Sequence, residues 1–240
     1  MSGKNAIVEL RQYRLHPCRR DELIQLFERE FIEPQEHAGM RILGQFRSLD
    51  DDDRFVWMRG FPDMSTRANA LATFYGGPAW QAHKAAANAT MIDSDDVLLL
   101  HPAHPNAGFA VRRGRTGAAS GERPRLYVAS VHTFEAAGEA KFALHFDTVL
   151  APLVARYGGN IVARLATERS RNTYPALPVR ENENAFVWLA NFADAAAYDR
   201  YLDCLRREGS WQRGLDSFSG PRLGPITTLR LEPTARSLLR

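Results

Sequence analysis

A chain of 240 residues, 45% hydrophobic and 25% charged, has the composition of folded globular proteins, which excludes disordered and fibrous classes and leaves room for one large domain or two ordinary ones. Its formal charge of +3 is a small excess scattered among acidic residues, and the one basic cluster, RRGR at 112–115, reads as solvated linker and not as a nucleic-acid surface. No run of eighteen apolar residues exists to span a bilayer; Cys18 and Cys204 form no CxxC pair, and with no secretory pattern at the start they point to a reducing, cytoplasmic setting.

In chain order, IVELRQYRL (7–15) alternates and is rich in strand-forming residues. RRDELIQLFEREFIEP then turns helical, with Leu23, Phe27 and Phe31 four apart and an expected end near Pro34. Strands follow at 40–49 and 54–61, joined by the acidic turn DDDD (50–53). Asp63 is placed to cap a helix whose face is expected to carry Met64, Ala68, Leu71, Ala72 and Tyr75. A Gly-Gly-Pro break, a short helix and the strand DVLLLH (96–101) complete a β-α-β-β-α-β order, the ferredoxin-like unit. The stretch 104–124 has the small, polar composition of a linker. A second set of elements then repeats the order: strands near 126–134, 160–166, 185–192 and 226–231, and two helices, the later one capped by Asp194.

The repetition is also written in the residues. FVWMRGFPD (55–63) returns as FVWLANFAD (186–194), and the same shift of 131 carries Trp80 onto Trp211 and Pro102 onto Pro233. The first strands are related by a shift of about 119, the difference lying in the longer turn TERSRNTYPALPVRENEN of the second half. Expected units are therefore 5–103 and 125–234, with 104–124 between them. The third strands are apolar on both faces: Phe55, Trp57 and Phe61 on one, Val56 and Met58 on the other. Each large ring left exposed would forfeit about 2 kcal/mol, so the sheet faces not covered by helices must cover each other. The expected fold class is α+β, two ferredoxin-like units forming an α+β barrel, closed within one chain or between chains.

The run VELRQYRL, the helix with RRDEL, LFEREF and EP, the strand RFVWMRGF and the stretch NATMIDSDDVLLL resemble bacterial members of the NIPSNAP family. The resemblance runs through both units and is clearer in the first. It implies the architecture of the dimeric α+β barrels, a superfamily of small enzymes and binding proteins.

Candidate chemistry comes from polar residues on strands otherwise built of rings. Glu9, Arg11 and Tyr13 share one face of the first strand, and Arg59 shares a face with Trp57. In the strand order 4-1-3-2 these strands are neighbours, so Glu9 or Tyr13 can meet Arg59. A buried arginine needs an anion or several acceptors. One reading is an Arg–Glu pair that fixes register. The other is a ligand site: Arg11, Arg59, Trp57 and Glu9 binding a carboxylate, enolate or phosphate, and Tyr13 donating a proton. At the equivalent places the second unit has Val128, Ser130, His132 and Ala190, so His132 is a candidate base, or a strand histidine bonded to backbone. The expected site is a cavity between the two sheets, or between sheets of partner chains, lined by Arg11, Tyr13, Trp57 and Arg59, with His132 as the candidate opposite them.

The remaining motifs read as structural. HPAH (101–104) and DDDD lack a full ligand set, His145 reads as a core histidine before a haem ligand, and Asp93 either orients His83 or caps. No metal and no cofactor are expected. The expected partners are a small-molecule ligand and a second copy of the chain, with no nucleic acid and no membrane span. The function expected is that of a cofactor-independent enzyme of oxygenase, isomerase or lyase type acting on a small, partly apolar molecule with an anionic or carbonyl group. The alternative is a non-catalytic binding or interaction module.

Overall fold

The computed structural model describes residues 5–110, 125–220 and 223–240; the RRGR cluster and most of the expected linker lie outside them. The alternating stretches form β1 (Ile7–Leu15), β2 (Arg41–Ser48), β3 (Arg54–Phe61) and β4 (Met91–Pro102), then β5 (Leu126–Thr133), β6 (Asn160–Thr167), β7 (Ala185–Phe192) and β8 (Leu223–Pro233). The fourth strand starts at Met91, five residues before the DVLLLH run that marked it in the sequence.

All eight strands join one closed antiparallel barrel in the order β1-β3-β2-β8-β5-β7-β6-β4. Each half therefore runs 4-1-3-2 in its own numbering. Two short seams close the barrel inside one chain, Phe46–Ser48 against β8 and Leu100–Pro102 against β6. No second chain is needed for closure. Val8, Leu10, Val56, Met58 and Leu98 from the first half meet Tyr127, Val131, Val187, Leu189 and Leu229 from the second, so side chains fill the interior.

The outer faces pack on helices. In the first half these are α1 (Arg20–Leu26), α2 (Ile32–His37), α3 (Met64–Gly76) and α4 (Pro78–Asn88). In the second they are α5 (Glu139–His145), α6 (Ala151–Arg156), α7 (Ala195–Glu208) and α8 (Ser210–Asp216). Phe55, Trp57 and Phe61 lie against Phe27, Phe31 and Phe74; Phe186, Trp188 and Phe192 lie against Phe142, Phe146 and Tyr201. A π-helical turn joins α1 to α2 at Phe27–Phe31, and another joins α5 to α6 at Phe146–Leu150, again 119 residues on. The first helix continues past Pro34 to His37. The widened turn just before it accommodates a ring that would strike the carbonyl four residues back in an unbroken α-helix.

Both expected caps form, Asp63 accepting from Thr66 N at 2.6 Å and Asp194 from Ala197 N at 2.7 Å. The buried face of α3 differs from the expected one: it is Arg67, Ala70, Leu71 and Phe74. The helix is rotated so that an arginine, of all residues, points inward.

Candidate functional site

The β1–β3 ladder sets Glu9 opposite Arg59, Arg11 opposite Trp57 and Tyr13 opposite Phe55. Glu9 is wholly buried and takes three guanidinium groups: Arg59 Nε and Arg11 Nη1 on Oε2 at 2.7 and 2.8 Å, and Arg67 Nε on Oε1 at 2.7 Å. Arg59 reaches on to Gln35 Oε1 at 3.1 Å and Tyr75 Oη at 3.5 Å, while Arg11 donates from Nε to Tyr13 Oη at 3.0 Å. The Trp57 ring flanks the cluster, its centroid 5.0 Å from Arg59 Cζ and 5.6 Å from Arg11 Cζ. Arg67 was missed in the sequence because arginine is read as the polar side of a helix; its i, i+3, i+4, i+7 relation to Ala70, Leu71 and Phe74 was the available signal.

The expected placement inside the barrel is overturned. Glu9, Arg11, Tyr13, Trp57 and Arg59 all face the first helix layer, as do their apolar neighbours on the same strand faces. His132 does not face them either. It belongs to the second helix layer, with Phe142 and Phe186. The physical reason is the supply of acceptors. Inside the closed sheet the strands spend their backbone groups on one another, whereas helices and loops bring Gln35, Tyr75 and further side chains to the guanidinium groups.

Two of those acceptors come from the other half. Asn172 Oδ1 and Thr173 Oγ1, in the long β6–β7 connection, accept from Arg67 Nη1 at 3.0 and 3.2 Å. The Tyr174 ring stacks on Tyr75 at 6.1 Å and 24°, and Arg180 N bonds Val97 O at 2.8 Å. The long β6–β7 connection is thus a strap over the first half's charged cluster.

Burial by itself would raise the Glu9 carboxyl, but Arg59, Arg11 and Arg67 outweigh it and hold it far below the usual carboxylate range. Burial raises the Tyr13 phenol, so it stays protonated. Beside the cluster lies a cavity of about 30 Å³ with Tyr13, Gln35, Trp57 and Tyr75 in its wall. It has room for roughly one water-sized occupant.

The second half replaces the cluster with space. Val128 faces Ala190 and Ser130 faces Trp188, where the first half has Glu9 with Arg59 and Arg11 with Trp57. A cavity of about 310 Å³ lies here between the sheet and α7–α8. Its walls are Ser130, Trp188, Tyr198, Tyr201, Leu205, Trp211 and Thr228, with Arg206 and Gln212 at the exposed rim. Gly209, at φ +59°, makes the left-handed turn from α7 into α8 that carries Trp211 over the cavity; a Cβ there would lie 2.9 Å from Arg213 Nη1. Trp188 Nε1 donates to His132 Nε2 at 3.1 Å, so that ring nitrogen carries the lone pair and the proton sits on Nδ1.

The remaining histidines singled out in the sequence and the acidic turn have structural partners. His145 Nε2 bonds Gly214 O at 2.8 Å, His104 meets Asp147 at 2.8 Å, and His83 meets Glu30, not Asp93. Asp50 of the DDDD turn accepts from Arg230 Nε at 2.7 Å. Among the described residues no group of three or more His, Cys, Asp or Glu side chains is arranged to hold a metal ion. Among them, too, no helix is long and apolar enough to cross a membrane.

A closed eight-stranded antiparallel sheet wrapped by helices, with a largely apolar interior and its buried charged cluster in a helix layer, is an α+β barrel. Residues 8–105, within its first half, match the NIPSNAP family model. Solved structures resembling the whole chain include an anthrone oxidase-like protein, 12% identical, covering 96% of this chain and 92% of its own with a TM-score of 0.63. A protein provisionally named a monooxygenase, from Fusobacterium nucleatum, is 10% identical and covers 97% of this chain and 94% of its own with a TM-score of 0.60. A NIPSNAP-like domain protein from Burkholderia xenovorans is 28% identical over 39% of this chain and 81% of its own, with a TM-score of 0.36. No curated protein matches.

Proposed function

We propose that this chain binds a small, partly apolar molecule with an anionic or carbonyl group, seated in the second half between the sheet and α7–α8. The 310 Å³ cavity carries the proposal: it falls at the small end of ligand pockets, whose range is roughly 300–1,000 Å³. Its walls suit a planar ring. Trp188 and Trp211 stand 5.9 Å apart at 53°, and Tyr198 and Tyr201 stack at 5.8 Å. Burial raises both tyrosine phenols, so each remains a protonated hydrogen-bond donor, and Arg206 supplies a cation at the rim.

The first half's residues take a structural part in this proposal. Glu9, Arg11 and Arg59 fix the β1–β3 register, and Tyr13 holds Arg11. His132, its Nε2 engaged by Trp188, positions that ring against the cavity in place of serving as a free base. Binding without catalysis is accordingly the reading the geometry favours. Oxygenation, the chemistry in the Fusobacterium protein's name, would be carried over from a likeness of 10% identity, which speaks for the fold alone.

The same proposal keeps two units, 5–103 and 125–234, related by duplication; the matching β1–β3 and β5–β7 registers support it. A homodimer and a cytoplasmic setting stay part of it. The free thiols of Cys18 and Cys204 suit a reducing compartment, and a dimer would join chains whose barrels are already closed.

Tryptophan fluorescence titrations with 1-naphthoate and 2-naphthol test the binding site. Wild-type protein is expected to give saturable quenching, Trp211→Ala to weaken binding about tenfold, and Ser130→Phe, which fills the cavity floor, to abolish it at unchanged far-UV dichroism. Quenching that survives Ser130→Phe, or no saturation with either probe, refutes the site. Product analysis of the same aerated mixtures tests turnover.

A further inference from the structure

The first half's cluster has a charge problem that its own side chains do not solve. Arg11, Arg59 and Arg67 are each at most 1% exposed, and among the described residues Glu9 is the one carboxylate that any of them reaches. Three guanidinium groups and one carboxylate leave two positive charges in a site closed to water. Tyr13 adds no negative charge, since its phenol is held protonated. Burial lowers the Arg67 guanidinium, but arginine keeps its proton at any ordinary pH. Every remaining acceptor around the cluster is neutral: Gln35, the Met40 sulfur, Tyr75, Asn172, Thr173 and the Ser94 carbonyl.

Three buried donors also stand without a partner: Arg59 Nη2, Arg67 Nη2 and Trp57 Nε1. All three belong to residues at most 2% exposed, where an unpaired donor is costly, most of all on a charged group. Trp57 lines the cavity of about 30 Å³, together with Tyr13, Gln35 and Tyr75, each of which accepts from Arg11 or Arg59; the rest of its wall is apolar, chiefly Phe27, Phe31, Phe74 and Trp80. The excess positive charge and two of the orphaned donors thus lie in the cluster beside this void of about one ion's size, which Trp57 borders directly.

We propose that this cluster is a buried anion site that takes a small monovalent anion of halide size as its second counter-charge. The void sets the ligand class. A phosphate or an aromatic carboxylate exceeds about 30 Å³, whereas a halide ion takes roughly the room of a water molecule. The strap residues Asn172 and Thr173 close the site from the second half through Arg67, so a bound anion ties the two halves together. This site is separate from the second-half cavity and stands or falls independently of it.

The test uses the full chain in halide-free gluconate buffer, with unfolding temperature followed as sodium chloride or bromide replaces sodium gluconate at constant ionic strength. An ion bound only by the folded state raises that temperature by roughly 5–10 °C at a hundred times its dissociation constant. Crystals grown in bromide are expected to carry an anomalous peak within hydrogen-bonding reach of Arg59, Arg67 or Trp57. Arg67→Met, which removes one of the two excess charges, is expected to abolish the halide-specific rise. Should that variant fail to fold, the wild-type peak decides alone. Equal unfolding temperatures in halide and gluconate, or bromide peaks only elsewhere, overturn the site.

Discussion

Glu9→Gln is the substitution that weighs most on this structure. It keeps shape and volume but replaces the one carboxylate shared by Arg11, Arg59 and Arg67 with a neutral amide whose NH₂ is itself a donor. Breaking a buried ion pair by removing one partner costs about 3–5 kcal/mol, and here three partners lose their anion at once. The loss is not three times larger, because Gln35, Tyr75, Asn172 and Thr173 still accept from Arg59 and Arg67. A cost near the top of that range, about 5 kcal/mol, is comparable to the lower limit of total domain stability. At roughly 2–4 °C per kcal/mol for a chain of this size, the unfolding temperature should drop by roughly 10–20 °C. Urea denaturation followed by far-UV dichroism measures it, with Arg59→Met alongside as the milder loss that leaves Glu9 two partners. A cost below about 1 kcal/mol for Glu9→Gln would refute the reasoning, since that is the scale of an exposed pair.

Two further outcomes follow from the same cluster. Because the folded Glu9 carboxyl lies far below its ordinary value, its stabilisation is complete above about pH 4.3 and is lost as pH falls below that toward the folded value. The stability gap between wild type and Glu9→Gln should therefore hold constant from pH 8 to 5 and narrow below about pH 4; a gap that widens on acidification contradicts the assigned charge state. Tyr13→Phe keeps the ring contacts with Phe55 and Trp57 but removes the acceptor for Arg11 Nε, and should cost about 1–3 kcal/mol in urea titrations. No loss at all would mean that Arg11 is satisfied elsewhere.

Much of this architecture follows from the sequence alone, because periodicity is a local property. Alternation at 7–15 and 54–61, rings on both faces of β3 and β7, and the Asp63 and Asp194 caps specify strands, helices and a doubly covered sheet without knowledge of any contact. The Glu9–Arg59 pairing was legible too, since strand order and register bring neighbouring strands together residue by residue. Which side of the sheet those charges face was not. Alternation tells which residues share a face but is blind to whether that face meets the barrel interior or the helices, and only the supply of acceptors from Gln35, Tyr75 and the strap decides it. Arg67 and Asn172, 105 residues apart, share a hydrogen bond that no local pattern encodes. The second-half cavity escapes the sequence for the same reason: Ser130 and Ala190 read as ordinary small strand residues, and the space they leave exists only because α7 and α8 lie across it.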